Sequence, residues 1–264
     1  MTGTPDRGGP APYISARTGQ FRYFDQQLGR PDWPAKRVLD FGGNVGNLLL
    51  DQACTIRHGE YWCLDVIPQA VEEGRRRYPD ATFLHYDRYN FEYNPSGTKQ
   101  LPVPDLGRFD VIVAQSVFNH TSKAEMRELV GQLRSFLTDD GVLAFTFIDP
   151  YFKPPPGWAR AEEWPDLDNL RWRLASARWF QEPGMDVDAL AAKATSAPLT
   201  WATLVNNEDF FLDSGDDWCR EGEERTHYMV FCTEGHMRSI YPDATVLPPV
   251  PPDRFSCAVL RRRA

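Results

Sequence analysis

Asp40, Gly42, Gly43, Asn44 and Gly46 are the residues of this chain whose types and spacing imply chemistry most directly. They belong to the stretch Val38-Leu39-Asp40-Phe41-Gly42-Gly43-Asn44-Val45-Gly46-Asn47, which reads as a buried strand, a glycine turn and the start of a helix. Such a turn lets backbone approach a ligand closely, and the free N–H groups at a helix start point outward, so a nucleotide-like ligand is suited. The Asp40 carboxylate at the strand end would repel a pyrophosphate. It suits a ligand that carries positive charge.

More polar residues sit at later strand ends. Glu60-Tyr61-Trp62-Cys63-Leu64 reads as a second short strand, and it ends in Asp65, an acid that could accept from both hydroxyls of a ribose. Thr82-Phe83-Leu84-His85-Tyr86 reads as a third strand and ends in Asp87. A fourth, Phe109-Asp110-Val111-Ile112-Val113-Ala114, ends in Gln115-Ser116. Each acid taken alone reads as a solvated turn residue. Four strand ends in order, each with a fitting polar residue, read together as one ligand site.

The first of these motifs resembles that of the class I S-adenosylmethionine (SAM)-dependent methyltransferases, in which an acid and then alternate glycines follow the first strand. Asp40, Gly42 and Gly46 fall on the pattern, and Asn44 stands where the middle glycine is usual. Asn tolerates left-handed backbone better than other non-glycine residues. By itself the motif also reads as an ordinary strand-to-helix turn. The resemblance covers residues 36–150. It implies SAM as cofactor, cradled by Asp40, Gly42, Gly43, Asn44 and Gly46. It implies a ribose on Asp65 beside Val66, and an adenine amino group on Asp87 with Arg88 or Tyr89 flanking the ring. Gln115 and Ser116 would lie where the methionine part meets the acceptor. The fold implied is α/β, a doubly wound Rossmann-like sheet of seven strands, mostly parallel with an antiparallel last strand, here with a cap insertion.

His120 follows the fourth strand in Gln115-Ser116-Val117-Phe118-Asn119-His120-Thr121, the loop that borders the transferring methyl in similar enzymes. An imidazole can serve as a base near neutral pH. It reads equally as a residue that braces the loop. Tyr13 and Tyr23 could orient or deprotonate an acceptor, although core packing is the commoner use of each. Phe24, Trp179, Glu208 and Phe211 are further candidates for the acceptor pocket; a surface loop is the plainer setting for Glu208.

The elements that must position these residues follow from pattern. Residues 1–37 form an N-terminal arm whose Tyr13, Phe21, Tyr23 and Phe24 call for packing, over the site or merely on the core. Residues 38–150 alternate strands and helices, which predicts a parallel sheet with helices on both faces. Pro68 to Tyr78 suits a helix with Pro in the first turn. Ser122 and Glu125 form a capping box for a helix reaching about Leu137. Asp139-Asp140-Gly141 reads as a turn before the strand Val142–Ile148. Residues 151–225 hold Trp158, Trp164, Trp172, Trp179, Trp201 and Trp218, six of the eight tryptophans. They read as a substrate cap, or as a satellite core. Residues 226–264 offer two strands, Thr226–Cys232 and Phe255–Leu260, to complete the sheet, with a short helix over Glu234–Tyr241 between them.

Composition narrows the partners. A chain of 264 residues with net charge −8 lacks the basic balance of nucleic-acid binders, and Arg75–Arg77 and Arg261–Arg263 read as solvated runs. No apolar run approaches the ~20 residues of a membrane span, and the start of the chain lacks a secretory apolar core. Five cysteines without close pairs suit a reducing cytoplasm and no zinc knuckle. The fourth strand lacks the metal-binding carboxylate of catechol-type enzymes and the Asn-Pro-Pro-aromatic signature of base-amine methylation. The expectation is a metal-independent transfer to a small phenolic or indole-like acceptor of natural-product type, with carbon, nitrogen and oxygen targets open and a homodimer left open. The rival readings are a nicotinamide-dependent oxidoreductase, which would want Gly-x-Gly-x-x-Gly, and a SAM-binding regulatory or structural protein without catalysis.

Overall fold

The computed structural model describes residues 14–90, 93–155, 158, 168–176, 192, 201–205, 209–212 and 228–262. Tyr13, Trp164, Trp179, Glu208 and Trp218 lie outside the described residues, and Phe211 is described only as a member of a strand.

The central strand β1 (Val38–Phe41) is buried at all four positions, as a strand covered on both faces must be. It pairs in parallel with β2 (Tyr61–Asp65) on one side and β4 (Phe109–Ala114) on the other. Strand β3 (Thr82–His85) flanks β2, and β5 (Leu137–Phe147) flanks β4, both in parallel. Strand β10 (Ser256–Arg261) runs antiparallel to β5, and β9 (Thr245–Leu247) antiparallel to β10. The order is β3-β2-β1-β4-β5-β10-β9. The chain reverses its winding between β1 and β4, which opens a crevice at their carboxyl ends.

Helices cover both faces. Helix α1 (Gln20–Gln27) buries Phe21, Tyr23 and Phe24 on the face that also holds Trp33, Tyr61 and Val111. Helix α2 (Pro68–Arg77) has Pro in its first turn, as expected. Helix α3 (Lys123–Ser135) starts at Ser122, whose Oγ accepts from the Glu125 backbone N–H at 3.1 Å. Its Met126, Leu129, Val130 and Leu133 fill the other face with Phe118 and Phe145. Two more helices are α4 (Asn169–Ser176) and α5 (Glu234–Ile240).

Four features depart from the sequence reading. The chain after β1 forms a series of tight turns instead of a helix, with Gly46 N–H on the Gly43 carbonyl and Leu49 N–H on the Gly46 carbonyl. Left-handed φ values at Asn44 (54°) and Gly46 (87°) break the right-handed path a helix needs. Asp139-Asp140-Gly141 bulges within one long β5, since Phe109 faces Leu137 while Val111 already faces Val142. The strand expected from Thr226 forms over Tyr228–Cys232 as β8, but it does not join the main sheet. It pairs with β6 (Trp201–Val205), which also carries β7 (Asp209–Leu212), in a second antiparallel sheet. The sixth strand of the main sheet is instead β9, three residues at the sheet edge.

Gly74 shows how tightly α2 is seated. A Cβ there would meet the buried Phe83 ring at 2.2 Å. Gly74→Ala is expected to cost about 1–3 kcal/mol through overpacking. Urea unfolding checks this, and an unchanged midpoint would show that Phe83 can move aside.

Candidate active site

A cavity of about 300 Å³ opens over the carboxyl ends of the parallel strands. Phe41 of β1 and the following Gly42 line it, as do Leu64 and Asp65 of β2 with the following Val66 and Ile67. The segment after β3 brings Tyr86, Arg88, Tyr89, Asn90 and Tyr93, and the segment after β4 brings Gln115 through Val117, with Asn119 and His120. Glu125 and Leu129 enter from α3, Met229 from β8, and Ser15, Arg17 and Gln20 from the arm.

Asp65 is the buried carboxylate of this cavity, 5% exposed. Its Oδ2 accepts the Asn44 N–H and its Oδ1 the Ile67 N–H, both at 2.8 Å. Burial raises its pKa, and the two amides oppose that rise. Each oxygen keeps a lone pair for a hydroxyl donor. Gly42 adopts φ 75°, and a Cβ on it would strike the Val117 side chain at 2.5 Å, so backbone itself forms the surface here. The side chain of Asn44 holds the arm, with its Oδ1 accepting the Ser15 N–H at 3.0 Å. Arg17 N–H reaches Asn47 in the same way at 3.3 Å.

Asp40 does not face the cavity. It is 1% exposed, and its Oδ2 accepts from the Tyr61 hydroxyl at 2.6 Å. Gly43 lies directly against this carboxyl group, where any Cβ would come within 2.4 Å of it. Gly46 packs on Phe83 and Tyr78. Asp40, Gly43 and Gly46 therefore shape the turn from behind, a correction to their reading as direct cofactor contacts. Burial pushes the Asp40 pKa up to about 7; the Tyr61 hydrogen bond works against this and the Asp65 charge adds to it.

The third strand end also differs. Asp87 is exposed and outside the cavity, and its Oδ1 accepts from Asn94 Nδ2 at 3.0 Å. Arg88 lines the cavity, but its guanidinium is engaged. Nε donates to Glu125 at 3.2 Å, and the terminal nitrogens to Glu128 (3.0 and 2.9 Å) and the Leu101 carbonyl (2.8 Å). At the fourth strand end Ser116 takes φ 56° and donates its N–H to Thr146 Oγ1 at 2.8 Å. Gln115, Ser116 and Val66 line the cavity as expected.

His120 lies on a 3-10 turn over Phe118–His120 and is 9% exposed. Its Nε2 is 3.2 Å from Asn119 Nδ2, and the Tyr93 ring meets it edge-on at 5.4 Å. Tyr23 and Phe24 are corrected from pocket to core. Tyr23 is 3% exposed and donates its hydroxyl to the Phe255 carbonyl at 2.9 Å, and burial raises its pKa well above the usual value. Phe24 is fully buried. Glu125, Asn119, Tyr93 and Met229 were missed as wall residues, although the capping box had already singled out Glu125.

Strand order 3-2-1-4-5 with a crevice at the switch point defines the Rossmann-like class of ligand-binding folds. Residues 39–143 match the family model of a methyltransferase domain. The fold is that of the Rossmann-like methyltransferases. The chain is similar to part of the non-reducing polyketide synthase mapC of Penicillium brevicompactum, 26% identical over 141 residues. That match takes in 48% of this chain and 5% of the synthase, so the chain spans a small part of that relative's length. An S-adenosylmethionine-dependent methyltransferase from Clostridium acetobutylicum has a similar structure, with TM-score 0.51 and 10% identity, over 91% of this chain and 89% of that one. A Pyrococcus horikoshii protein gives TM-score 0.52 and 11% identity, over 92% and 89%.

The raised Asp40 pKa has a sign. Folded protein holds a proton on Asp40 up to about pH 7, whereas the unfolded chain releases it near 3.8. Between those values the folded state binds the extra proton, so this group's contribution falls as pH rises and levels off above about 7. Asp40→Asn is expected to remove that slope, on the order of a few kcal/mol across the window. Parallel melts of wild type and variant from pH 4 to 8 measure it, and identical slopes would place the Asp40 charge in solvent.

Proposed function

We propose that this protein transfers the methyl group of SAM to a small planar acceptor, phenolic or indole-like, of the kind met in natural-product tailoring. The observation that carries the reading is the cavity at the β1–β4 switch point, with the buried Asp65 carboxylate and backbone-only Gly42 inside a methyltransferase domain. These residues fit the cofactor. Asp65 would accept from ribose hydroxyls, the turn at Gly42 and Asn44 would hold the amino-acid part, and Val66 and Leu129 would flank the base. When bound, SAM supplies a methyl group on a cationic sulfur.

The chain's own work is to hold the acceptor in line and exclude water. The acceptor would lie near Asn90, Tyr93, His120 and Met229, which line the cavity together. His120 would take a proton through Nε2 once Asn119 yields that position. The arm would close the opposite side through Ser15, Arg17 and Gln20. Residues 151–225 would act as a cap. Support for this comes from β6 in that segment, which pairs with β8, where Met229 lines the cavity and Cys232 N–H bonds the Ile148 carbonyl at the end of β5 at 2.9 Å. The likeness to part of a polyketide synthase favours an acceptor from secondary metabolism. Net charge −8 speaks for a small molecule over nucleic acid. Buried thiols at Cys63, Cys232 and Cys257 suit a reducing compartment.

Incubation with SAM and a panel of phenols, indoles and amines should yield a product heavier by one methylene, and its fragmentation assigns the target atom. SAM binding without any product across the panel would favour the non-catalytic reading, and NAD binding without SAM binding the oxidoreductase. Asp65→Ala should weaken SAM binding by about 1–3 kcal/mol, read by calorimetry. His120→Ala should slow transfer by roughly 10²–10⁴ if it accepts the acceptor's proton. A near-normal rate would make it a brace. Activity should survive EDTA; loss on chelation with recovery on adding magnesium would overturn metal independence.

A further inference from the structure

We propose that a second cavity, at the amino ends of the strands and away from the active site, binds a small molecule that carries a phosphate group and an apolar part.

This cavity measures about 510 Å³ and shares no lining residue with the one over the carboxyl ends of the parallel strands. Arg108 lines it just before β4, and Arg262 just after β10, whose end meets the start of β4 because β10 runs antiparallel to β5. Arg127 and Arg134 enter from α3. No acidic side chain lines the cavity among the described residues. Four arginines around one hollow reverse, locally, the sign of a chain whose net charge is −8. A cleft lined by one sign of charge raises the local concentration of the opposite sign.

The arginines are set at two depths. Arg134 forms the floor, with its side chain 6% exposed, its Nη2 on Asp243 Oδ2 at 2.5 Å and its Nε on the Arg261 carbonyl at 2.9 Å. Arg262 holds Asp139 at 2.5 Å. Asp139 and Asp243 stand outside the lining, and each shows that an arginine here takes an oxyanion. Arg108 and Arg127 are exposed, and the Arg108 backbone is pinned where its carbonyl accepts from Arg37 Nη1 at 2.8 Å. Planar guanidinium forks match the several oxygens of a phosphate. Ile240 and the following Tyr241 add an apolar wall.

Gly131 is the independent sign that something sits here. It lies within α3, four residues after Arg127 and three before Arg134, so the three share one face. Glycine inside a helix is destabilising relative to alanine. Packing does not demand it, since a Cβ at Gly131 would meet nothing within 4 Å. Its effect is to leave the wall bare where a ligand would lie between the arginines.

Calorimetry on the full chain with phenyl phosphate, and with benzoate at the same ionic strength, tests the site. Wild type should bind phenyl phosphate and prefer it to benzoate by roughly tenfold or more. Gly131→Glu places a carboxylate in the open space, and Arg108→Glu reverses one charge at the rim. Both positions are exposed, so the fold should tolerate them. Each should weaken phenyl phosphate by roughly tenfold or more. Phenyl phosphate that does not bind wild type, binds no better than benzoate, or binds both variants as tightly as wild type overturns the proposal. Binding only to vesicles of phosphatidylcholine with phosphatidic acid, and not to phenyl phosphate, also overturns it and makes the arginines a lipid-headgroup contact.

Discussion

The hydrogen bond from Asn44 N–H to Asp65 Oδ2, 2.8 Å long and buried, joins the first turn to the second strand end, and the rest of the site hangs from it. Asn44 can point its amide there because its φ is 54°, and that same left-handed step sends the chain into tight turns in place of a helix. Its carbonyl receives the Cys63 thiol at 3.6 Å, and its side chain receives the arm at Ser15. One residue thus ties β1, β2 and the N-terminal segment. A glycine at that position would keep the turn and lose the link to the arm.

Around this bond the protein accumulates negative charge with little to offset it. Asp65 accepts from the Asn44 and Ile67 amides, and Asp40 beneath it from the Tyr61 hydroxyl. Burial raises both pKa values, and the Asp65 charge adds to the rise at Asp40. Burying two carboxylates so close together is costly. Of the two arginines that line the cavity, Arg17 and Arg88, Arg88 is paired with Glu125 and Glu128.

The regular part of this architecture was legible because burial on both faces leaves a clear mark. Strands β1 and β4, apolar but for Asp40 and Asp110, could be placed from sequence, and so could the Ser122 cap. Strand β9 was not legible, since three residues at an edge carry too little periodicity to stand out. Strand β8 looked like a member of the main sheet because its composition is right for any strand; only pairing distinguishes sheets. Tyr23 and Phe24 failed for a related reason. An aromatic residue on a short helix reads the same whether it faces a pocket or a core, and packing against Trp33 and Tyr61 decided for the core. Asp87 failed because position at a strand end does not determine which way a side chain turns, and Asn94 turned it outward.

The two sides of the cavity differ in how they are built, and that difference fits their tasks. The side assigned to the cofactor is made of strand ends fixed by main-chain bonds, so its geometry is set by the sheet. The other side is assembled from the Asn90–Tyr93 region, the 3-10 turn carrying His120, and β8. These pieces hold one another by side-chain contacts such as Tyr93 against His120, and by the second sheet's Trp201 beneath Lys123 at 5.5 Å. Loops on a rigid scaffold can change their lining without disturbing the frame. An acceptor pocket made this way can shift specificity by substitution at Tyr93 or Met229, while the Asn44–Asp65 bond keeps the cofactor floor where the sheet puts it.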